Sequence, residues 1–163
     1  MPVRILRRNL NHPDAVMLCD AVQAEYAVMY GGGDSSPMRA DQFEPPLGCF
    51  LVGYLHGVAV GSAAWRRLRP QLAGSTLVTG EIKRVYVTPP ARRHGVAREL
   101  MLELEQNAHA AGIERLVLET GPMQPAAIAL YRDLGYTDTN GGGWSEYGDH
   151  LGVVILEALL PRG

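Results

Sequence analysis

A single mixed α/β or α+β domain is predicted by three observations. Apolar patterns of period two and of period 3.6 alternate along the chain. No internal repeat and no linker-like run divides it. Its 163 residues, 47% of them apolar, suffice for one hydrophobic core.

The elements follow in order. Val3 to Arg8 alternates apolar and polar residues, which suits a first strand. Asn11-His12-Pro13-Asp14 then reads as a helix start, with a capping-type residue ahead of a proline that needs no N–H. Ala15, Leu18, Cys19, Val22, Tyr26 and Met29 follow at helical spacing, and the helix should stop at Gly31. Gly31 to Pro46 reads as a loop with a short helical turn near Asp41. Cys49 to Tyr54 and Val58 to Leu68 form a predicted hairpin around Leu55-His56-Gly57. Pro70 to Ser75 is a connector. Leu77 to Val87 is a long strand stopped by Pro89-Pro90.

From Gly95 to Ala111 the residues Ala97, Leu100, Met101, Leu104, Ala108 and Ala111 share one side, as an amphipathic helix requires. Leu116 to Leu118 is a short buried strand. Pro125 to Leu134 is a further helix, closed by Gly135. Val153 to Leu156 is a last strand, reached through a loop from Asn140 to Trp144. The order is therefore strand, helix, hairpin, long strand, helix, strand, helix, strand.

Composition limits the function. The formal net charge is -2, so no global basic field points to nucleic acid. No apolar run is long enough to span a bilayer, and no apolar stretch follows the basic N-terminus as a secretory signal would require. Cys19 and Cys49 lack zinc or redox spacing and read as reduced thiols. These features give a cytoplasmic expectation, with no nucleic-acid partner and no membrane partner. His12, His56, His94, His109 and His150 show no ligand spacing, so no metal is expected. No serine stands in a nucleophile-elbow context.

The chemistry concentrates between Glu81 and Tyr136. Arg92-Arg93-His94-Gly95-Val96-Ala97 lies between a strand and a helix. Such a turn aims several backbone N–H groups in one direction, and the helix dipole adds to their pull on an anion. Gly95 and Ala97 leave room for a phosphate, and Arg92, Arg93 and Arg98 add positive charge. An ordinary basic helix start is the alternative for this stretch alone. Neither a Walker A loop nor a three-glycine dinucleotide fingerprint is present.

Three patterns in this region resemble the GNAT superfamily of N-acetyltransferases. Arg92-Arg93-His94-Gly95-Val96-Ala97 is similar to its Arg/Gln-x-x-Gly-x-Gly/Ala signature. Val85-Tyr86-Val87-Thr88-Pro89 resembles the strand that precedes it. Ala126 to Tyr136, with Leu130-Tyr131 and Gly135-Tyr136, resembles the following helix motif. The resemblance implies a GNAT-type fold, a central mixed and mostly antiparallel sheet with helices on both faces and a splayed cofactor cleft. It implies acetyl-CoA as cosubstrate, its pantetheine arm pairing with backbone at Val85, Tyr86 and Val87. It places the pyrophosphate on Arg93, His94, Gly95, Val96, Ala97 and Arg98, beside Arg92. Gln124 stands where many members carry an asparagine against the cofactor arm.

By the same resemblance Tyr131 is the general acid toward the CoA thiolate. Its alternative is a core aromatic on an amphipathic helix. Glu81 is the candidate base, since strict alternation would put it on one side with Val85 and Val87. A bulge would break that alternation, and Glu81 could instead pair with Lys83 or Arg84. The acceptor site draws its candidates from Glu25, Tyr26, Tyr30, Asp34, Trp65, Glu119 and Tyr147, because acids beside aromatics suit a cationic amine.

The leading expectation is acetyl transfer from acetyl-CoA to a primary amine by direct attack in a ternary complex. A small molecule or a peptide could supply the amine. A different acyl-CoA donor, or a non-catalytic CoA-binding sensor domain, are the alternatives. A homodimer is one assembly the resemblance allows.

Overall fold

The computed structural model describes residues 2–34, 37–139 and 153–162. A seven-stranded sheet in the order β1-β2-β3-β4-β5-β7-β6 forms its centre. The strands are β1 (Arg4–Arg7), β2 (Gly48–Leu55), β3 (Val58–Arg67), β4 (Thr79–Val87), β5 (Arg115–Thr120), β6 (Thr137–Asp138) and β7 (Val154–Leu159). The helices are α1 (Pro13–Tyr30), α2 (Pro70–Ala73), α3 (Val96–Ala110) and α4 (Pro125–Asp133). All neighbouring strands are antiparallel except β4 and β5. Mixed α/β architecture is therefore as expected.

Each face of the sheet carries its own core. Ala15, Leu18 and Val22 of α1 pack with Phe50, Val52 and Ala64 on one face. Val96, Leu100, Met101, Leu104 and Ala108 of α3 pack with Leu51, Ala63, Trp65 and Ile82 on the other. Leu18, Phe50, Leu100 and Met101 are wholly buried, and such side chains each contribute about 1.5–3 kcal/mol. Tyr131 of α4 joins the α3 side. Tyr136 donates to Glu105 Oε2 and Arg162 donates to Glu105 Oε1, which ties both ends of the C-terminal segment to α3.

Local chemistry sets the boundaries. His12 caps α1, its Nδ1 accepting from the Asp14 N–H at 3.1 Å, one residue later than Asn11. The β2–β3 hairpin turns through His56 and Gly57, both left-handed at φ 50° and 77°, as a tight primed turn requires. The turn near Asp41 is a 3-10 helix, Ala40–Phe43. Three details depart from the sequence reading. The connector after Pro70 contains one helical turn, the last strand runs on to Leu159, and β6 is too short to leave a periodic signal. The expected loop from Asn140 to Trp144 lies outside the described residues.

One correction governs the site. Ala64 pairs with Lys83 and Ser62 with Tyr86, so the single residue Ala63 faces both Arg84 and Val85. This bulge carries Arg84 at φ 56° and is pinned by Ser62 Oγ donating to the Arg84 carbonyl at 2.7 Å. Glu81, Val85 and Val87 consequently do not share one side, because one extra residue reverses the alternation between them.

Candidate active site

β4 and β5 pair only from Thr79 with Arg115 to Glu81 with Val117. Beyond that point they separate, and two cavities open at the split. The first, about 480 Å³, is lined by Tyr26, Tyr30, Asp34, Glu81, Lys83 and Glu119, among others. The second, about 550 Å³, follows Val85 to Val87 toward Arg92, Arg93 and Gly95. Tyr26, Val85, Met123, Gln124 and Tyr131 line both, so the cavities meet there.

The end of the second cavity is built as an anion cradle. Arg93 and Gly95 both adopt left-handed φ, 67° and 77°. Two such residues curl the turn so that successive N–H groups converge. No side chain caps α3, which leaves its first N–H groups available to a ligand. A Cβ at Gly95 would meet nothing within 4 Å, so the space above it is open. The cavity lining includes Val96, Ala97 and Arg98 but not His94, which is exposed.

Two arginines of this region, Arg92 and Arg98, have partners within the protein. Arg92 donates to Glu25 Oε2 and to the Val87 carbonyl, both at 2.8 Å, and its guanidinium lies 5.7 Å from the centre of the Tyr86 ring. Arg98 pairs with Asp133. Both pairs are partly exposed, and such pairs are worth only about 0–1 kcal/mol, so a multiply charged ligand can compete for them.

The first cavity has a charged floor. Glu81 Oε1 accepts from Arg66 Nε at 2.8 Å, and its Oε2 lies 3.8 Å from Lys83 Nζ. Lys83 and Arg84 both reach Asp34 Oδ2, at 2.6 and 2.7 Å. Gln23 holds the Asp34 backbone through two hydrogen bonds of 2.8 Å. Only 2% of Glu81 is exposed.

Tyr131 stands at the junction and is 6% exposed. Burial, with a smaller contribution from Tyr26, pushes its phenol well above the usual tyrosine range. The group stays protonated well into the alkaline range and can donate a hydrogen bond, while the same burial makes it a weaker acid. Tyr26 is pushed up to about 12, chiefly by burial, with Arg84 pulling the other way. Above the junction, the Tyr30 hydroxyl accepts from the Met123 N–H at 3.2 Å and from Gln124 Nε2 at 3.3 Å. A Cβ on Gly121 would fall on that hydroxyl, so the Tyr30 ring would have to shift to admit any side chain there.

Most of the residues singled out by sequence converge here. Val85, Tyr86, Val87, Arg92, Arg93, Gly95 to Arg98, Gln124 and Tyr131 line the second cavity, and Tyr26, Tyr30, Asp34, Glu81 and Glu119 the first. Glu25 joins the second cavity as the partner of Arg92. Trp65 does not join them. It is 1% exposed in the α3 core, with Nε1 donating to Asn107 at 2.8 Å. Tyr147 lies outside the described residues. Gln23, Lys83 and Arg84 were not foreseen as site residues. Two cations inside an apolar strand were the available signal, but strand alternation alone sends them to opposite faces.

Among the described residues no helix is long and apolar enough to cross a membrane. Residues 16–136 match the model of the acetyltransferase (GNAT) family. An "IAA acetyltransferase" of Azospirillum brasilense is 45% identical over 111 residues, covering 68% of this chain and 67% of that protein. Against some other curated relatives the match spans about a third of their length, 34% in two cases. Among solved structures, a provisionally assigned acyl-CoA N-acyltransferase from Klebsiella pneumoniae superposes with a TM-score of 0.77 at 27% identity, covering 97% of both chains. A provisionally assigned acetyltransferase from Salmonella typhimurium, solved with its cofactor acetyl-CoA, has a TM-score of 0.67 at 22% identity, covering 100% of this chain and 96% of its own.

Proposed function

Because this chain belongs to the GNAT family of acetyltransferases and is an acyltransferase by class, we propose that it transfers the acetyl group of acetyl-CoA to a primary amine by direct attack in a ternary complex. The carrying observation is that two cavities, one with an anion cradle and one with a charged floor, meet at Tyr131. A donor in one and an acceptor in the other would bring their reacting atoms together there.

The residues present fit the donor. The uncapped start of α3 and the left-handed Arg93 and Gly95 suit a pyrophosphate, and the open space over Gly95 admits it. The edge of β4 that faces the split offers main-chain groups to an extended arm at Val85, while the Val87 carbonyl is already taken by Arg92. Acetyl-CoA supplies an activated thioester, so no metal or further cofactor is required. Tyr131, held protonated by burial, donates toward the departing sulfur. Gln124 bonds to Tyr30 and so helps to set the junction rather than standing free for the cofactor arm.

Glu81 has two roles open to experiment. As the base it would take the proton of the attacking amine. As an anchor it would hold Arg66 and Lys83 in place beneath the acceptor. Its oxygens already face both cations, which favours the anchor, with the amine proton leaving to solvent.

Calorimetry with acetyl-CoA, followed by thiol release with a panel of amines, tests the proposal. Binding and amine-dependent thiol release are expected. No binding at about 1 mM ligand would reject it. Binding without thiol release from any amine would favour a sensor.

A further inference from the structure

We propose that the acceptor amine carries a carboxylate, received by Arg84 and Lys83 on the floor of the first cavity; this rests on the acetyl-transfer reading above. In a regular strand, consecutive side chains point to opposite faces. Here Lys83 and Arg84 are consecutive, yet both reach the same oxygen of Asp34. The bulge makes this possible, and it does so with a non-glycine residue at φ 56°. Strained backbone of this kind persists where the surrounding structure enforces it, and it concentrates at functional sites.

The arrangement is costly in a second way. The Arg84 side chain is 6% exposed and lies by the Cys19 thiol, and among the described residues its Nε–H has no hydrogen-bond partner. A buried donor on a cation is expensive to leave unmet, and a carboxylate beside this guanidinium would lower that cost. Arginine and lysine lining one cavity select an anion, and arginine in particular matches a planar carboxylate through two parallel N–H groups.

Asp34 does not fill this role by default. Gln23 fixes its backbone on both sides, so it is a permanent wall of the site and offers one oxygen to both cations. Glu119, which comes from β5 across the split, gives the cavity a negative group on the opposite strand that suits an ammonium. A cavity with cations at one point and an acid at another favours a zwitterion over a simple amine. The class is therefore a free amino acid or a similarly small amino carboxylate, which a cavity of about 480 Å³ accommodates.

Thiol release from acetyl-CoA is to be measured on the wild-type protein with matched acceptors. Each set contains a free amino acid, its carboxamide and its decarboxylated amine, for example phenylalanine, phenylalaninamide and phenethylamine, across the common side chains. The free acids are expected to exceed their amides and amines by at least about tenfold in kcat/KM, mainly through KM. In Arg84→Gln that preference should shrink to about twofold or less, while calorimetric affinity for acetyl-CoA is kept. The wild-type comparison needs no variant, so it stands even where Arg84→Gln does not fold. Amides or simple amines reacting as well as the acids would overturn the inference and leave acetyl transfer intact. Thiol release from no amine of any class would bring down both.

Discussion

The hydroxyl of Tyr30 lies over Gly121, in the space that a Cβ on that glycine would fill. This closes the end of α1 onto the loop between β5 and α4, where the two cavities meet. Gly121→Ala should push the hydroxyl off Met123 and Gln124, lower the melting temperature only slightly because the ring is 40% exposed and can swing outward, and raise the acceptor KM. Tyr30→Phe, which keeps the ring but loses the bonds, should have the smaller effect. Melting curves and acceptor titrations check both, and an unchanged Gly121→Ala protein would reject the clasp.

Tyr131→Phe keeps the buried ring and removes only the hydroxyl. Turnover should fall by about 10²–10⁴-fold if that hydroxyl serves the leaving thiolate. Calorimetric affinity for CoA should change little. Steady-state kinetics with unchanged kcat would remove Tyr131 from the chemistry.

Glu81→Gln tests anchor against base. Breaking a buried pair costs about 3–5 kcal/mol, so the melting temperature should drop with Arg66 left short of its partner. An anchor leaves the shape of the kcat/KM pH profile intact at a lower level. Disappearance of the acidic limb would instead assign Glu81 as the base.

Gly95 carries two costs that substitution can separate. Its φ of 77° penalises any side chain by about 1–2 kcal/mol, whether or not ligand is present. Space over it is open in the protein alone, so extra bulk matters only when a phosphate arrives. Gly95→Ala and Gly95→Gln, both unbranched at Cβ, should melt at similarly lowered temperatures, but the glutamine should weaken CoA at least about tenfold more. Equal CoA affinity in the two would move the phosphate elsewhere.

Alkaline pH should unfold this protein early. Burial raises Tyr26 from the usual 10.0 to about 12 and raises Tyr131 and Tyr136 as well. The folded state then holds protons that the unfolded chain releases, so stability falls as pH rises from about 10 through the folded values. Tyr131→Phe removes one such proton and should flatten the slope. Denaturant midpoints between about pH 9 and 11 measure it, and a slope unchanged in that variant would contradict the assignment.

Much of the fold was legible because period and punctuation carry it. The α3 stripe from Leu100 to Ala108 and the Pro13 start of α1 are local signals, and both elements form where those signals stand. The pattern from Arg92 to Ala97 located the anion cradle because backbone geometry, not long-range packing, builds it. Trp65 was misplaced as an acceptor residue because an aromatic on a strand gives no sign of which face becomes core.

By itself, then, the sequence determined most of the elements, the family and the turn proposed for the donor, since those depend on residues close together in the chain. Tertiary structure decided how β4 presents its charges. A single bulge opposite Ala63 separated Glu81 from Val85 and Val87, and turned Lys83 and Arg84 onto Asp34 from a loop about fifty residues away. Side-chain direction on a strand reverses with one inserted residue, and only the pairing with β3 reveals where that residue lies.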